Sequence, residues 1–167
     1  MTHQNSMFMS NNKIFLDSSI LVEYVKGAKT DLLDYLLNDE KFTLFISQIV
    51  ISEFYFHALA AYGSKAPLTL KTSGAISGIM QFHQPQQFLN LFDFLMDDAH
   101  FVDASANLME RYNLLPNDAL IIANCQKHAI KHIASYDITD LEPVCKVENM
   151  VLISSVVDVQ VSFPLSQ

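Results

Sequence analysis

Four acidic residues stand where a carboxylate is hard to explain as ordinary surface charge. Asp17 stops the apolar run Ile14-Phe15-Leu16, and Asp137 follows the run His132-Ile133-Ala134 closely. Glu53 has Ile49, Val50, Ile51, Phe54, Tyr55 and Phe56 as neighbours. Asp118 heads another apolar stretch, Leu120 to Ala123. A carboxylate in such surroundings is costly unless it is paired, hydrogen-bonded or bound to a cation. No Lys or Arg lies within six residues of Glu53 or Asp118. Carboxylates that meet without cations repel, and some of them stay protonated. A hard divalent cation removes that conflict. Magnesium takes few carboxylates, keeps several waters and binds phosphate oxygens, so such a site can activate water against a phosphodiester.

These acids must be positioned by elements that hydrophobic spacing makes legible. Lys13 to Leu16 reads as a buried strand, and Ser18 to Val25 as a helix stopped at Gly27. Thr30 to Leu37 is a second short helix. Thr43 to Ile46 is a strand, and Ser47 is the expected N-cap of a helix over Gln48 to Tyr62. Residues 63–77 read as a loop, because Gly63, Pro67, Ser73 and Gly74 punctuate them. Gln86 to Met96 reads as a helix, with Phe88, Leu91, Phe92 and Leu95 as its core-packing stripe. His100 to Val102 is a possible strand, followed by a helix over Ser105 to Tyr112. Pro116 to His128 is a strong helix opened by Pro116 and Asn117. His132 to Ala134 and Val151 to Ile153 are the remaining strands. Short apolar strands alternating with helices predict an α/β protein with a central parallel sheet and helices on both faces. In such sheets ligands bind beyond the carboxyl ends of the strands, where Asp17 and Asp137 fall.

Each acid alone has a plainer reading. Asp118 in a first helical turn complements the helix dipole. Asp17 can be a helix N-cap, Asp137 a loop residue and Glu53 a partly exposed helix residue. The four together are more specific than any one of them.

Composition bounds the rest. The chain has 167 residues, half of them hydrophobic and 17% charged. That predicts residues 13–167 as a single domain after a flexible leader, 1–12. No apolar run is long enough to span a membrane, and the polar start is no secretory signal. Cys125 and Cys145 make no disulfide framework and no zinc spacing, so a reducing cytoplasm is expected. The net charge of −8 argues against a protein that grips nucleic acid through a broad basic surface. It does not argue against acids that hold a metal, since bound cations reverse the local charge.

Four segments resemble the PIN domain, most closely the toxin components of VapBC-type toxin–antitoxin pairs. Ile14 to Val22 is similar to the family's opening strand and first acid. Ile51-Ser52-Glu53-Phe54 resembles its helix with the second acid. Leu115 to Ala123 resembles the third-acid motif and is the strongest match. Ile133 to Leu141 resembles the fourth-acid segment. The resemblance implies a three-layer α/β/α PIN-like fold, a catalytic and metal site of Asp17, Glu53, Asp118 and Asp137, and Mg2+ or Mn2+ as cofactor. It also implies hydrolysis of an RNA substrate, homodimerisation and a cognate antitoxin protein as partner. Ser19 stands where a small polar residue helps to orient the site. Asp140 contributes to the site or is a turn residue. Asp140-Leu141 departs from the family pattern, in which an aromatic often follows the acid, and 63–99 is long for a small toxin.

Other phosphoryl-transfer classes fit less well. A dehalogenase-type phosphatase needs a second acid where Ser19 stands. A response regulator needs an acidic pair and a later Lys that are not found. No GxxxxGK[ST], GxGxxG or GxSxG is present. A catalytically inactive PIN-like module that binds protein or RNA is the alternative function. His57, one turn after Glu53, is read as structural rather than as a general base. Lys65 and Lys71 are read as solvated loop charge and Cys125 as core.

Overall fold

A computed structural model describes residues 12–164. The expected leader, 1–12, lies outside the described residues except for Asn12, whose carbonyl accepts a hydrogen bond from the Thr43 N–H at 3.0 Å. Five strands form one sheet: β1 (Lys13–Leu16), β2 (Thr43–Ser47), β3 (Asp93–Leu95), β4 (His132–Ala134) and β5 (Val151–Ile153). Their order is β3-β2-β1-β4-β5, and every pairing is parallel. Ile14, Phe15 and Leu16 are all 0% exposed. Successive strand residues face opposite sides of a sheet, so both faces of β1 are covered, and its sequence is a continuous apolar run for that reason.

The helices are α1 (Ser18–Val25), α2 (Asp31–Leu37), α3 (Gln48–Gly63), α4 (Pro67–Thr72), α5 (Ile76–His83), α6 (Pro85–Leu89), α7 (His100–Tyr112), α8 (Pro116–Lys127), α9 (Ile138–Val147) and α10 (Val156–Ser162). They make the outer layers of a three-layer α/β/α arrangement, as expected. Phe54 of α3 and Ile121 and Ile122 of α8 are buried in the core beside the β1 side chains. Among the described residues, no helix is long and apolar enough to cross a membrane.

The segment between α3 and α7 departs from the sequence reading. Residues 63–77 are not a loop: α4 and the start of α5 lie there. Pro67 occupies the first turn of α4, where its missing N–H costs nothing, so the residue read as a breaker is a helix opener. A Cβ on Gly63 would meet the δ-carbons of Leu70, from α4, at 2.6 and 2.7 Å and Ile79 Cδ1, from α5, at 2.9 Å; glycine there leaves room for α4 and α5 against α3. The expected helix over Gln86–Met96 ends at Leu89, and Asp93–Leu95 is an edge strand paired with Phe45–Ser47. Phe88, Phe92 and Leu95 do pack inward, but Leu91 is 60% exposed. The helical spacing came from two elements joined by a turn. His100 to Val102 is the first turn of α7 rather than a strand, with Phe101 buried.

Candidate metal centre

The carboxyl edge of the sheet collects the acids. The Asp17 N–H donates to the Ala134 carbonyl at 2.9 Å, and the Ser135 N–H donates to the Ile153 carbonyl at 3.0 Å. Sheet hydrogen bonding therefore continues one residue past β1 and β4 and sets Asp17 beside Ser135. Asp17 is only 7% exposed. Its Oδ2 accepts from Ser19 Oγ at 2.5 Å, from Ser135 Oγ at 2.7 Å and from the Ser19 N–H at 3.3 Å. Asp17 is thus the N-cap of α1 as well as a buried carboxylate, and the two readings of it are compatible. Ser19 has the orienting position that the sequence suggested: its Oγ also accepts from the Tyr136 N–H at 3.0 Å.

Glu53 comes from the second turn of α3. Its Oε2 accepts from Ser18 Oγ at 3.0 Å and its Oε1 from Asn117 Nδ2 at 2.6 Å. Neutral donors therefore hold both carboxylate oxygens, and α1 and α8 are tied to α3 through them. Asp118 lies in the first turn of α8, half-buried. Its carboxyl is pushed up to about 6, first by burial and then by the charges of Asp137, Asp17, Asp140 and Glu53. The fold thus brings all four predicted acids, with Asp140, into one electrostatic neighbourhood. Asp137, at the N-cap position of α9, and Asp140, in its first turn, are exposed. Asp140 is a helix residue, not a turn residue. Among the described residues, no ion pair reaches Asp17, Glu53, Asp118 or Asp137.

Ser18, Asn117 and Ser135 escaped the sequence reading. Ser135 carried a usable signal, since it follows β4 as Asp17 follows β1 and so falls on the same edge. Its buried Oγ donates to Asp17 and accepts from the Asp137 N–H at 2.9 Å, which links the first and fourth acids. His57 is exposed against Phe56 and takes no part. Cys125 and Cys145 are free thiols buried in the core.

One cleft has two of the acids in its lining, and a second holds Tyr136, the neighbour of Asp137. One, of about 540 Å³, is lined by Leu115, Asp118, Thr139, Asp140, Pro143 and Val147 among others. The other, also about 540 Å³, opens between the α1–α2 turn, Tyr136 and the start of α10.

Residues 14–145 match the PIN domain as a family. The chain belongs to the PIN-domain family. The matched stretch holds every one of the acids, while β5 and α10 lie beyond it. Two PIN-domain relatives come from Methanocaldococcus jannaschii. Ribonuclease VapC2 is 32% identical over 130 residues, 77% of this chain and 87% of its own. Ribonuclease VapC6 is 30% identical over 151 residues, 84% and 97% respectively. The PIN fold is seen again in a toxin–antitoxin complex from Klebsiella pneumoniae, with a TM-score of 0.57 at 16% identity over 84% of this chain and 96% of that one. VapBC2 from Rickettsia felis, solved bound to a DNA fragment, gives 0.54 at 17% identity over 84% and 97%.

Proposed function

We propose that this PIN-domain protein is a divalent-metal-dependent endoribonuclease and the toxin half of a toxin–antitoxin pair. One observation carries the reading: acids from four separate segments share one edge of the sheet, among the described residues no cation is paired to Asp17, Glu53, Asp118 or Asp137, and Asp118 is pushed up to about 6 by burial and by its acidic neighbours. A site left in that state favours a hard cation. The names of the two Methanocaldococcus ribonucleases support the substrate class.

The donors present suit Mg2+ or Mn2+ in kind, because all of them are carboxylate oxygens. Among the described residues, no three Asp, Glu, His or Cys side chains come close enough to share one ion directly. Magnesium accepts such a loose set, since it keeps waters between itself and part of its ligands. Asp17, Glu53 and Asp118 would hold the ion, and Asp137 would complete the site or act through water. When bound, the ion supplies positive charge for the scissile phosphate and a better nucleophile from water at neutral pH. The protein's own part is positional. Ser19 and Ser135 fix the Asp17 carboxylate, and Ser18 and Asn117 fix Glu53. Among the described residues no donor is bonded to the half-buried Asp118 carboxylate, so its charge is left for a cation to offset.

A cytoplasmic setting, a homodimer and a small antitoxin partner belong to the same reading. The second reading, an inactive module that binds protein or RNA, draws on the open arrangement of the acids and the net charge of −8. Cleavage of structured and unstructured RNAs with added manganese separates the two. Parent protein should cleave, and Asp118→Asn should lose at least a hundredfold in rate while keeping its circular-dichroism spectrum. Full activity in Asp118→Asn would remove this site from the chemistry.

A further inference from the structure

We propose that the cleft between Lys29, Tyr136 and Ser155 is a substrate subsite that holds the nucleotide next to the scissile phosphate. The proposal rests on the ribonuclease reading and deepens it. None of the four acids lines the cleft, which meets the cluster through the backbone of Tyr136. Tyr136 immediately precedes Asp137, and its N–H is held by the same Ser19 Oγ that donates to Asp17. A strand laid across the acids must leave the cluster on one side or the other. The cleft beside Asp118 and Asp140 has no Lys or Arg in its lining. The Tyr136 cleft has Lys29, whose Nζ stands 4.4 Å from the centre of the Tyr136 ring. In a chain of net charge −8, a cation beside the aromatic face of the residue that precedes Asp137 is the place for a phosphate and a base.

The chemistry of the lining fits that ligand. An exposed ammonium meets a phosphate oxygen. A tyrosine ring carries a stacked base or a ribose face, and every base has such a face. Thr30 offers a hydroxyl. Ser155 Oγ accepts from the Asp158 N–H at 3.3 Å, which leaves its own O–H free to donate. Asp31 lines the same cleft and can accept from a 2′-hydroxyl or a base N–H, a contact that RNA offers and a bare phosphate does not. At about 540 Å³ the cleft lies inside the span of small-ligand pockets, roughly 300–1,000 Å³.

Binding and cleavage test this together. Lys29→Gln, Tyr136→Leu and Tyr136→Phe are placed in the full chain, and again in an Asp118→Asn background for binding without turnover. A fluorescent single-stranded oligoribonucleotide is titrated by anisotropy in Mn2+ at several salt concentrations. Tyr136→Leu should weaken binding about tenfold and Tyr136→Phe should restore it, because the ring and not the hydroxyl bears the base. Lys29→Gln should lower the salt slope by about 0.7, the share of one phosphate contact on a single strand. In cleavage both weakened variants should raise KM, with kcat within about twofold of the parent. Unchanged binding and an unchanged salt slope, in variants that still cleave RNA, would overturn the subsite and leave the nuclease standing. A parent that neither binds nor cleaves RNA in Mn2+ would overturn both.

Discussion

At the residue scale, the raised Asp118 carboxyl has a consequence for stability as well as chemistry. Its folded value of about 6 lies above the usual 3.8. The folded state therefore keeps the proton longer than the unfolded chain does, and stability falls as pH rises from about 4 to about 6. Without divalent metal, Asp118→Asn should match the parent near pH 4 and exceed it at pH 7. The difference should be about 1 kcal/mol, reduced from the full shift because the group is half exposed and screened. Urea melts in EDTA at the two pH values would measure it, and a variant less stable than the parent at pH 7 would contradict the crowded-charge account. Ser135 makes the opposite kind of contribution. Its buried hydroxyl satisfies Asp17 and the Asp137 backbone at once. Ser135→Ala should cost about 1–2 kcal/mol of stability and about tenfold in kcat/KM, with metal-dependent activity retained. An unaffected rate would show that Asp17 needs no such support.

At the scale of elements, the N-terminus of α3 separates sequence rule from structure. Ser47 stands at the N-cap position, as expected, but makes no capping hydrogen bond, and its buried Oγ has no partner among the described residues. A working cap would lose about 1 kcal/mol on replacement by alanine. Ser47→Ala should instead be neutral or slightly stabilising, because it removes an unsatisfied buried hydroxyl; a clear loss in thermal melting would restore the cap. The same element explains what the sequence could tell. The strands β1, β4 and β5 were legible to the residue because they are short apolar runs closed by polar residues. The helix α8 was legible through Pro116 and its apolar body. The β3 edge strand was hidden because Phe88, Phe92 and Leu95 keep helical spacing across a turn. Of the site, the acids were visible as isolated charges in apolar company. Their supports Ser18, Asn117 and Ser135 were not, since a hydroxyl or amide next to an acid is common anywhere and only the fold shows which atom it meets.

At the scale of the whole molecule, a chain of net charge −8 places its own acids against one another. On the proposed function, a divalent cation would act as a folding ligand as well as a cofactor. Manganese well above its dissociation constant should stabilise the parent by roughly 2–3 kcal/mol, a rise of several degrees in Tm for a chain of this size. Asp118→Asn should lose most of that shift. A parent whose Tm ignores manganese would favour the inactive binding module. The strand order carries a further consequence. β1 leaves its place in the sequence at once, but its second edge waits for β4, so that Ile14 and Leu16 pair with His132 and Ala134 more than a hundred residues later. Asp17 receives its backbone anchor from Ala134 and a side-chain donor from Ser135. While the ribosome is still making the chain, β1, β2 and β3 and the Ser18 and Asn117 supports of Glu53 are already present, but the Ala134 and Ser135 partners of Asp17 are not. The support of Asp17, and the fourth acid Asp137, arrive only with the last part of the polypeptide, so the first residue of the site is the last to be secured.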